Sequence, residues 1–267
     1  MGPGSAAGGG SAAGSGSAAG PGRGGGFRGS WSAGAPGDLA AVPLLAGLPG
    51  AAVADFLGPA VPVAFRRGER LFAEGDPGDH VLVLLSGKVK LTRPGPHGGE
   101  SLLTMSGPGE LLGELCVFDA APRQATAVAV RDTAACRTSA TDMSDWLDRH
   151  PEASRRLMSL LAARIRRMND RFEDAAGVDV ATRVARVLVE QGARFARRTG
   201  MGLRLTLDLS QDDLAHHVRA SRERVNQILG DFTRRGWIAR DGGDLIILDP
   251  PQLTRRARHR SRRPTLM

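Results

Sequence analysis

Cysteine is scarce in this 267-residue chain: Cys116 and Cys136 are the only two, and neither has another Cys or a His beside it at metal-ligand spacing. A disulfide framework and a structural zinc site are therefore excluded, and two reduced, buried thiols are expected. Long apolar runs are missing as well. No stretch approaches the roughly 18 uninterrupted apolar residues of a spanning helix, so no membrane association is expected. The first 37 residues are almost entirely Gly, Ser, Ala and Pro, with two arginines, Met1, Phe27 and Trp31 and no apolar h-region. That composition supports no secretory signal and buries too little surface to offset the entropy of ordering it. These absences describe a soluble, cytoplasmic protein with a disordered leader over residues 1–37. Catalytic groupings are missing too. The chain has no nucleophile beside a base, no metal-ligand cluster and no Gly-rich phosphate loop opening a helix, so it does not read as an enzyme.

What is present is an uneven charge. The net +8 divides into −4 over residues 38–149, from 10 basic and 14 acidic side chains, and +6 over residues 254–267. A basic C-terminal end favours a nucleic-acid partner, bound there. Arg255, Arg256, Arg258, Arg260, Arg262 and Arg263 belong to a segment beyond any recognisable core, so they are either DNA contacts or a solvated, disordered tail.

From Val61 to about Ala140, short apolar runs alternate with Gly, Pro and Asp, the pattern of a small all-β sandwich or barrel. His80–Ser86 and Val89–Thr92 are expected strands, Pro94–Gly99 a turn, and Glu100–Met105 a further strand. The period then lengthens. Leu157, Leu161, Ile165, Met168 and Phe172 recur at helical spacing, with Arg155, Arg156, Arg166, Arg167 and Arg171 largely off that stripe. Such a stripe either pairs two copies of the helix or packs on its own domain. Gly177 interrupts the helix, Asp179 starts another that reaches Phe195, and Leu203–Leu207 is a short strand.

Ser210 with Asp213 three residues on forms a capping box for a helix ending near Val218, and Ser221 caps a second helix. In that second helix Val225, Ile228, Leu229 and Phe232 form the buried face, while Arg222, Glu223, Asn226 and Gln227 point away from it. Two helices joined by a three-residue turn place such side chains against base edges in the major groove. Arg222 suits guanine O6 and N7, Glu223 a cytosine amine and Gln227 adenine. Gly236–Leu248 then reads as two short strands around an Asp-Gly-Gly-Asp turn. An ordinary helical hairpin with Arg222 and Glu223 merely solvated has the same spacing. The residues themselves go further. From Leu209 to Leu253 the chain resembles the DNA-binding domain of the cyclic-AMP receptor protein and Fnr (Crp/Fnr) family, whose second helix begins Ser-Arg-Glu-Thr-Val; here Ser221, Arg222, Glu223, Arg224 and Val225 stand in those places. Arg219 replaces the family's turn Gly, Arg224 its Thr, and Gln227 its later base-reading Arg or Lys.

The resemblance continues upstream. Gly68–Phe72 with Glu74–Gly78 is similar to the opening strands of a cyclic-nucleotide-binding β-roll. Gly113, Glu114 and Leu115 with Pro122–Thr126 (GELCVFDAAPRQAT) are similar to its phosphate-binding cassette. The resemblance implies that Arg123 bonds a cyclic phosphate in bidentate fashion and Glu114 accepts from the ribose 2′-hydroxyl, with the amides around Gly113 and Leu115 approaching closely. Gln124 stands where cyclic-AMP-responsive members often have Ser or Thr. Met168 and Asn169 fall where the receptor has a Thr-Ser pair against adenine, and Asn169 offers an amide to a purine edge.

The implied fold is α+β: a double-stranded β-helix (jelly-roll) sensor over residues 38–149, a dimerisation helix over 150–176, a winged helix-turn-helix over 177–253 and a disordered basic tail over 254–267. The implied function is sequence-specific DNA binding by a homodimer gated by cyclic AMP or cyclic GMP, with RNA polymerase as a further partner. The site residues are Gly113, Glu114, Leu115, Arg123, Gln124, Met168 and Asn169 for the effector, and Ser221, Arg222, Glu223, Arg224, Asn226 and Gln227 for DNA. Two alternatives stay open, a ligand-independent DNA-binding factor with a vestigial sensor and a regulator that senses a different effector.

Overall fold

The computed structural model of the protein describes residues 42–95 and 100–258. The expected leader, most of the expected 94–99 turn with His97, and residues 259–267 lie outside the described residues. In the N-terminal unit, helix α1 (Gly50–Leu57) precedes strands β1 (Val61–Phe65), β2 (Arg70–Phe72), β3 (His80–Pro94), β4 (Glu100–Ser106) and β5 (Leu111–Leu112). Helix α2 (Cys116–Asp119), strand β6 (Thr126–Ser139), helix α3 (Ala140–Arg149) and the long helix α4 (Pro151–Gly177) follow. The antiparallel sheet runs β1-β6-β3-β4, with β2 beside β6 and β5 beside β3. Its centre is apolar on both faces, which explains the unbroken run in β3. Val81, Val83 and Leu85 face a core with Phe56, Met143 and Trp146, while Leu82, Leu84, Val89 and Leu91 line the roll with Leu112 and Ala127. The two strands expected at 80–86 and 89–92 are one. Gly87 lies between them at φ +87°, where the pairing with β6 shifts register and a Cβ would meet the backbone of Asp132 at 2.4 Å. A glycine that looked like a strand end is an internal bulge.

The helical stripe divides between its two readings. Ala153 and Leu157 of α4 are buried in the core around Trp146, and Leu160 and Leu161 pack partly against it, so the first turns belong to the sensor's own core. Ile165 and Met168 are 57% and 60% exposed. The side chain of Phe172 lies outside the described residues.

In the C-terminal unit, helix α5 (Val180–Phe195) is capped by the Asp179 side chain and leads to β7 (Arg197–Thr199) and β8 (Gly202–Thr206). Helices α6 (Gln211–His217) and α7 (Arg222–Arg234), strands β9 (Ile238–Asp241) and β10 (Asp244–Ile247), and helix α8 (Pro250–Ala257) complete it. The capping box between Ser210 and Asp213 is formed, the Ser221 hydroxyl accepts from the Arg224 amide, and Val225, Ile228, Leu229 and Phe232 are buried. The disordered tail expected from residue 254 starts too early. Asp249 caps α8 with Pro at its first positions, Leu253 and Ala257 are buried, and Arg256 pairs with Asp179 at 2.5 Å. The count of arginines concealed a helix whose apolar anchors are only two residues.

Arg219, in the turn between α6 and α7, has φ +49°. The turn therefore keeps the left-handed geometry that favours glycine, and Arg183 props it by donating to the carbonyls of Val218 (2.9 Å) and Arg219 (3.4 Å). Arg219→Gly is expected to stabilise the protein by about 0.5–1 kcal/mol, the left-handed cost less the added chain entropy; urea unfolding measures it, and a lower stability contradicts it.

A buried cation bonds the two units to each other. Lys88 Nζ, on β3, donates to the carbonyls of Thr206 and Leu207 at 3.1 and 3.0 Å and to Asp208 at 3.3 Å, and lies 4.3 Å from the centre of the Phe195 ring. Burial holds its ammonium below the ordinary lysine range, against the Asp208 carboxylate, which raises it. Arg131 also bonds Asp208 at 2.9 Å, and Arg194 reaches the Met105 carbonyl at 2.8 Å and Glu110 at 2.5 Å. Lys88→Met is expected to speed amide exchange at residues 206–208 by at least tenfold, from loss of about 2 kcal/mol of local stability. Exchange-coupled mass spectrometry reads this, and unchanged exchange contradicts it.

Candidate effector site and nucleic-acid interface

Arg123 is fixed before it meets any ligand. Its amide donates to the Asp76 carbonyl and its own carbonyl accepts from Gly75, both at 2.9 Å, which pins the residue to the loop after β2. The side chain is 3% exposed and turns inward. One terminal nitrogen donates to the His80 carbonyl at 2.6 Å and the other to the Gly113 carbonyl at 3.2 Å, while Cys116 Sγ lies 3.7 Å from the latter. The guanidinium stacks 4.4 Å from the centre of the Phe72 ring. Its Nε is buried with no hydrogen-bond partner among the described residues. A buried guanidinium N–H left unbonded is costly, and an anion is what would satisfy it. Gly113 makes the cradle possible: its φ is +82°, and a Cβ there would stand 1.9 Å from the guanidinium.

Glu114 follows, 3% exposed, and its carboxylate pairs at 2.5 Å with Arg164 of α4. Sequence reasoning missed Arg164. It sits three residues after Leu161 and four before Met168, so it interrupts the apolar stripe, and a cation on such a stripe signals a buried acid opposite. Leu115 is 40% exposed and Gln124 is exposed. Met168 and Asn169 lie on exposed turns of α4 beyond Arg164 and make no hydrogen bond to the cassette among the described residues. The structure thus brings together Gly113, Glu114 and Arg123, and leaves Gln124, Met168 and Asn169 open. Cys116 and Cys136 are free and buried, and burial pushes the Cys136 thiol up to about 12. Among the described residues there is no metal-ligand cluster, and no helix is long and apolar enough to cross a membrane.

At the start of α7, Ser221, Arg222, Glu223 and Arg224 are exposed, and so is Gln227, whose Oε1 accepts from Arg224 at 3.2 Å. The backbone amide of Glu223 and the Ser221 hydroxyl hold the Glu223 carboxyl below the usual range, keeping it an acceptor. Asn226 differs from expectation. It is half-buried, and its Nδ2 donates to Gln211 Oε1 at 2.9 Å. The same oxygen accepts from Arg222 Nε at 3.2 Å, so a residue of α6 that sequence reasoning passed over reaches two of the expected readers. Beside α7, Arg204 holds the β9–β10 hairpin by donating to Asp244 at 3.0 Å and by bonding Asp241.

Two family models match the chain, the cyclic nucleotide-binding domain over residues 62–150 and the Crp-like helix-turn-helix domain over residues 182–256. A CRP-like cAMP-activated global transcriptional regulator of Mycobacterium tuberculosis is 41% identical over 220 residues, which span 82% of this chain and 98% of the relative. The cyclic AMP receptor protein of Thermus thermophilus is 31% identical over 174 residues, 65% of this chain and 77% of that one. FixK2 of Bradyrhizobium japonicum, with a TM-score of 0.65 at 18% identity over 73% of this chain and 96% of its own, shares the fold.

The Glu114–Arg164 pair is asymmetric, since the side chain of Arg164 is 35% exposed and that of Glu114 only 4%. Arg164→Met leaves a buried carboxylate unpaired and is expected to cost about 2 kcal/mol in urea unfolding, while Glu114→Gln costs under about 1 kcal/mol. Equal costs would contradict a buried pair.

Proposed function

Because the chain belongs to the Crp/Fnr family of DNA-binding transcriptional regulators, not enzymes, we propose that it acts as a homodimer whose hold on specific DNA is raised by cyclic AMP bound at the Arg123 cradle. The observation that carries this reading is the buried guanidinium of Arg123, set against Gly113 and near a buried Glu114, with its Nε lacking a partner among the described residues. A cyclic phosphate supplies the missing acceptors, and a ribose 2′-hydroxyl donates to Glu114, which already grips Arg164 of α4. Ligand at Glu114 therefore bears directly on the long helix. Gln124, next after Arg123, and Asn169, which offers its amide to the purine, complete the proposed site.

The exposed Ile165 and Met168 continue the helix stripe past the sensor's own core, and a second copy of α4 is the surface that matches it. Pairing there sets two α7 helices against successive major grooves, with Ser221 and Arg224 toward phosphates and Arg222, Glu223 and Gln227 toward bases. RNA polymerase is the further partner of the DNA-bound dimer. The ligand-independent alternative draws on the carbonyls of His80 and Gly113, which already occupy the ends of Arg123.

Calorimetric titration with cyclic AMP and cyclic GMP decides between them. Cyclic AMP is expected to bind, and Arg123→Lys, which keeps the charge but loses the fork, is expected to weaken it at least tenfold without unfolding the sensor. Failure of both nucleotides to bind overturns the ligand-gated reading and leaves DNA binding intact.

A further inference from the structure

We propose that Gln211, on the helix before the recognition helix, is a specificity-determining positioning residue that makes Arg222 and Asn226 read DNA as one unit. This rests on the reading of α7 as the recognition helix. Arg222 and Asn226 are four residues apart and so lie one above the other on the same face of α7. Gln211 opens α6, and its single Oε1 accepts from both, from Arg222 Nε at 3.2 Å and from Asn226 Nδ2 at 2.9 Å. Asp212 adds an ion pair to the Arg222 terminal nitrogen at 3.5 Å.

An exposed arginine has several rotatable bonds, and freezing them on binding costs entropy. Bonding the Nε from behind holds the guanidinium plane while leaving its two terminal nitrogens for a guanine edge, the fork that discriminates bases. Asp212 competes for one of those nitrogens, so DNA with a matching guanine must displace it, which raises the threshold for a wrong sequence. On Asn226 the effect is different. With Nδ2 given to Gln211, its Oδ1 is buried with no partner among the described residues. That oxygen stands inside the protein, so what Asn226 contributes is its bond to Gln211, which fixes Oε1 and with it the Arg222 guanidinium. The two side chains therefore hold one geometry, set by a residue outside the helix that carries them.

The test is selection of bound sequences from a random DNA pool, with affinities for the selected site and for unrelated DNA measured over a range of salt. Gln211→Ala is expected to lower discrimination about fivefold at the base positions whose preference Arg222→Ala or Asn226→Ala alters. Affinity for unrelated DNA and the salt slope should be unchanged, because no phosphate contact is lost. Gln211→Glu keeps an acceptor and is expected to retain the unmodified base profile, although its charge lowers affinity for all sequences alike. Thermal unfolding of Gln211→Ala should match that of the unmodified protein. An unchanged base profile in Gln211→Ala overturns the proposal while Arg222→Ala still alters its own position. A uniform loss over all sequences with a shallower salt slope overturns it as well, making Gln211 a phosphate contact. If Arg222→Ala changes no base position, the reading of α7 fails and takes this inference with it.

Discussion

A guanidinium buried inside a β-roll is the constraint from which the sensor's architecture follows. Removal of the Arg123 guanidinium from water must be offset by acceptors within reach. Two backbone carbonyls and the face of Phe72 do most of this, and they come from three separate places: the start of β3, the cassette and β2. Each must be where it is for the charge to be tolerated. The geometry still falls one bond short at Nε, and that shortfall is the feature a phosphate ester fits.

From the cradle two routes leave toward the DNA-binding unit. One runs through Glu114 to Arg164 and along α4, whose far turns expose the apolar residues suited to a second copy. The other runs through β3 itself, since the strand that gives the His80 carbonyl to Arg123 also bears Lys88, buried against the carbonyls of Thr206 and Leu207. An effector that draws Arg123 or Glu114 toward itself thus acts on two elements, β3, which bonds the C-terminal unit through Lys88, and α4, which leads into it. Coupling of sites needs no more than such a shared element with two arrangements.

The local rules wrote much of this plainly. Both caps of the helix-turn-helix, the buried face of α7 and the unbroken apolar run of β3 follow from hydroxyl positions and from periods of 3.6 and 2. Gly87 was misleading because a bulge and a strand end ask for the same residue, and only the pairing with β6 separates them. The helix α8 was hidden because its burial rests on Leu253 and Ala257 amid six arginines. Arg164, Gln211 and Lys88 escaped notice for a common reason: each is defined by a partner at least 11 residues away in sequence, and only the interrupted stripe at Arg164 gives a local sign of one. Arg219 is the converse case. Sequence comparison marked it as out of place, and the positive φ shows that the turn did not relax to suit it.

The central claim is that one chain couples a nucleotide site to a DNA site, and coupling is reciprocal. The most direct measurement is therefore the full cycle: DNA affinity with and without cyclic AMP, and cyclic AMP affinity with and without the selected DNA. The account predicts the same factor on both sides, about fivefold or more in favour of the doubly bound protein. A factor of one on both sides, with both ligands still binding, would contradict it.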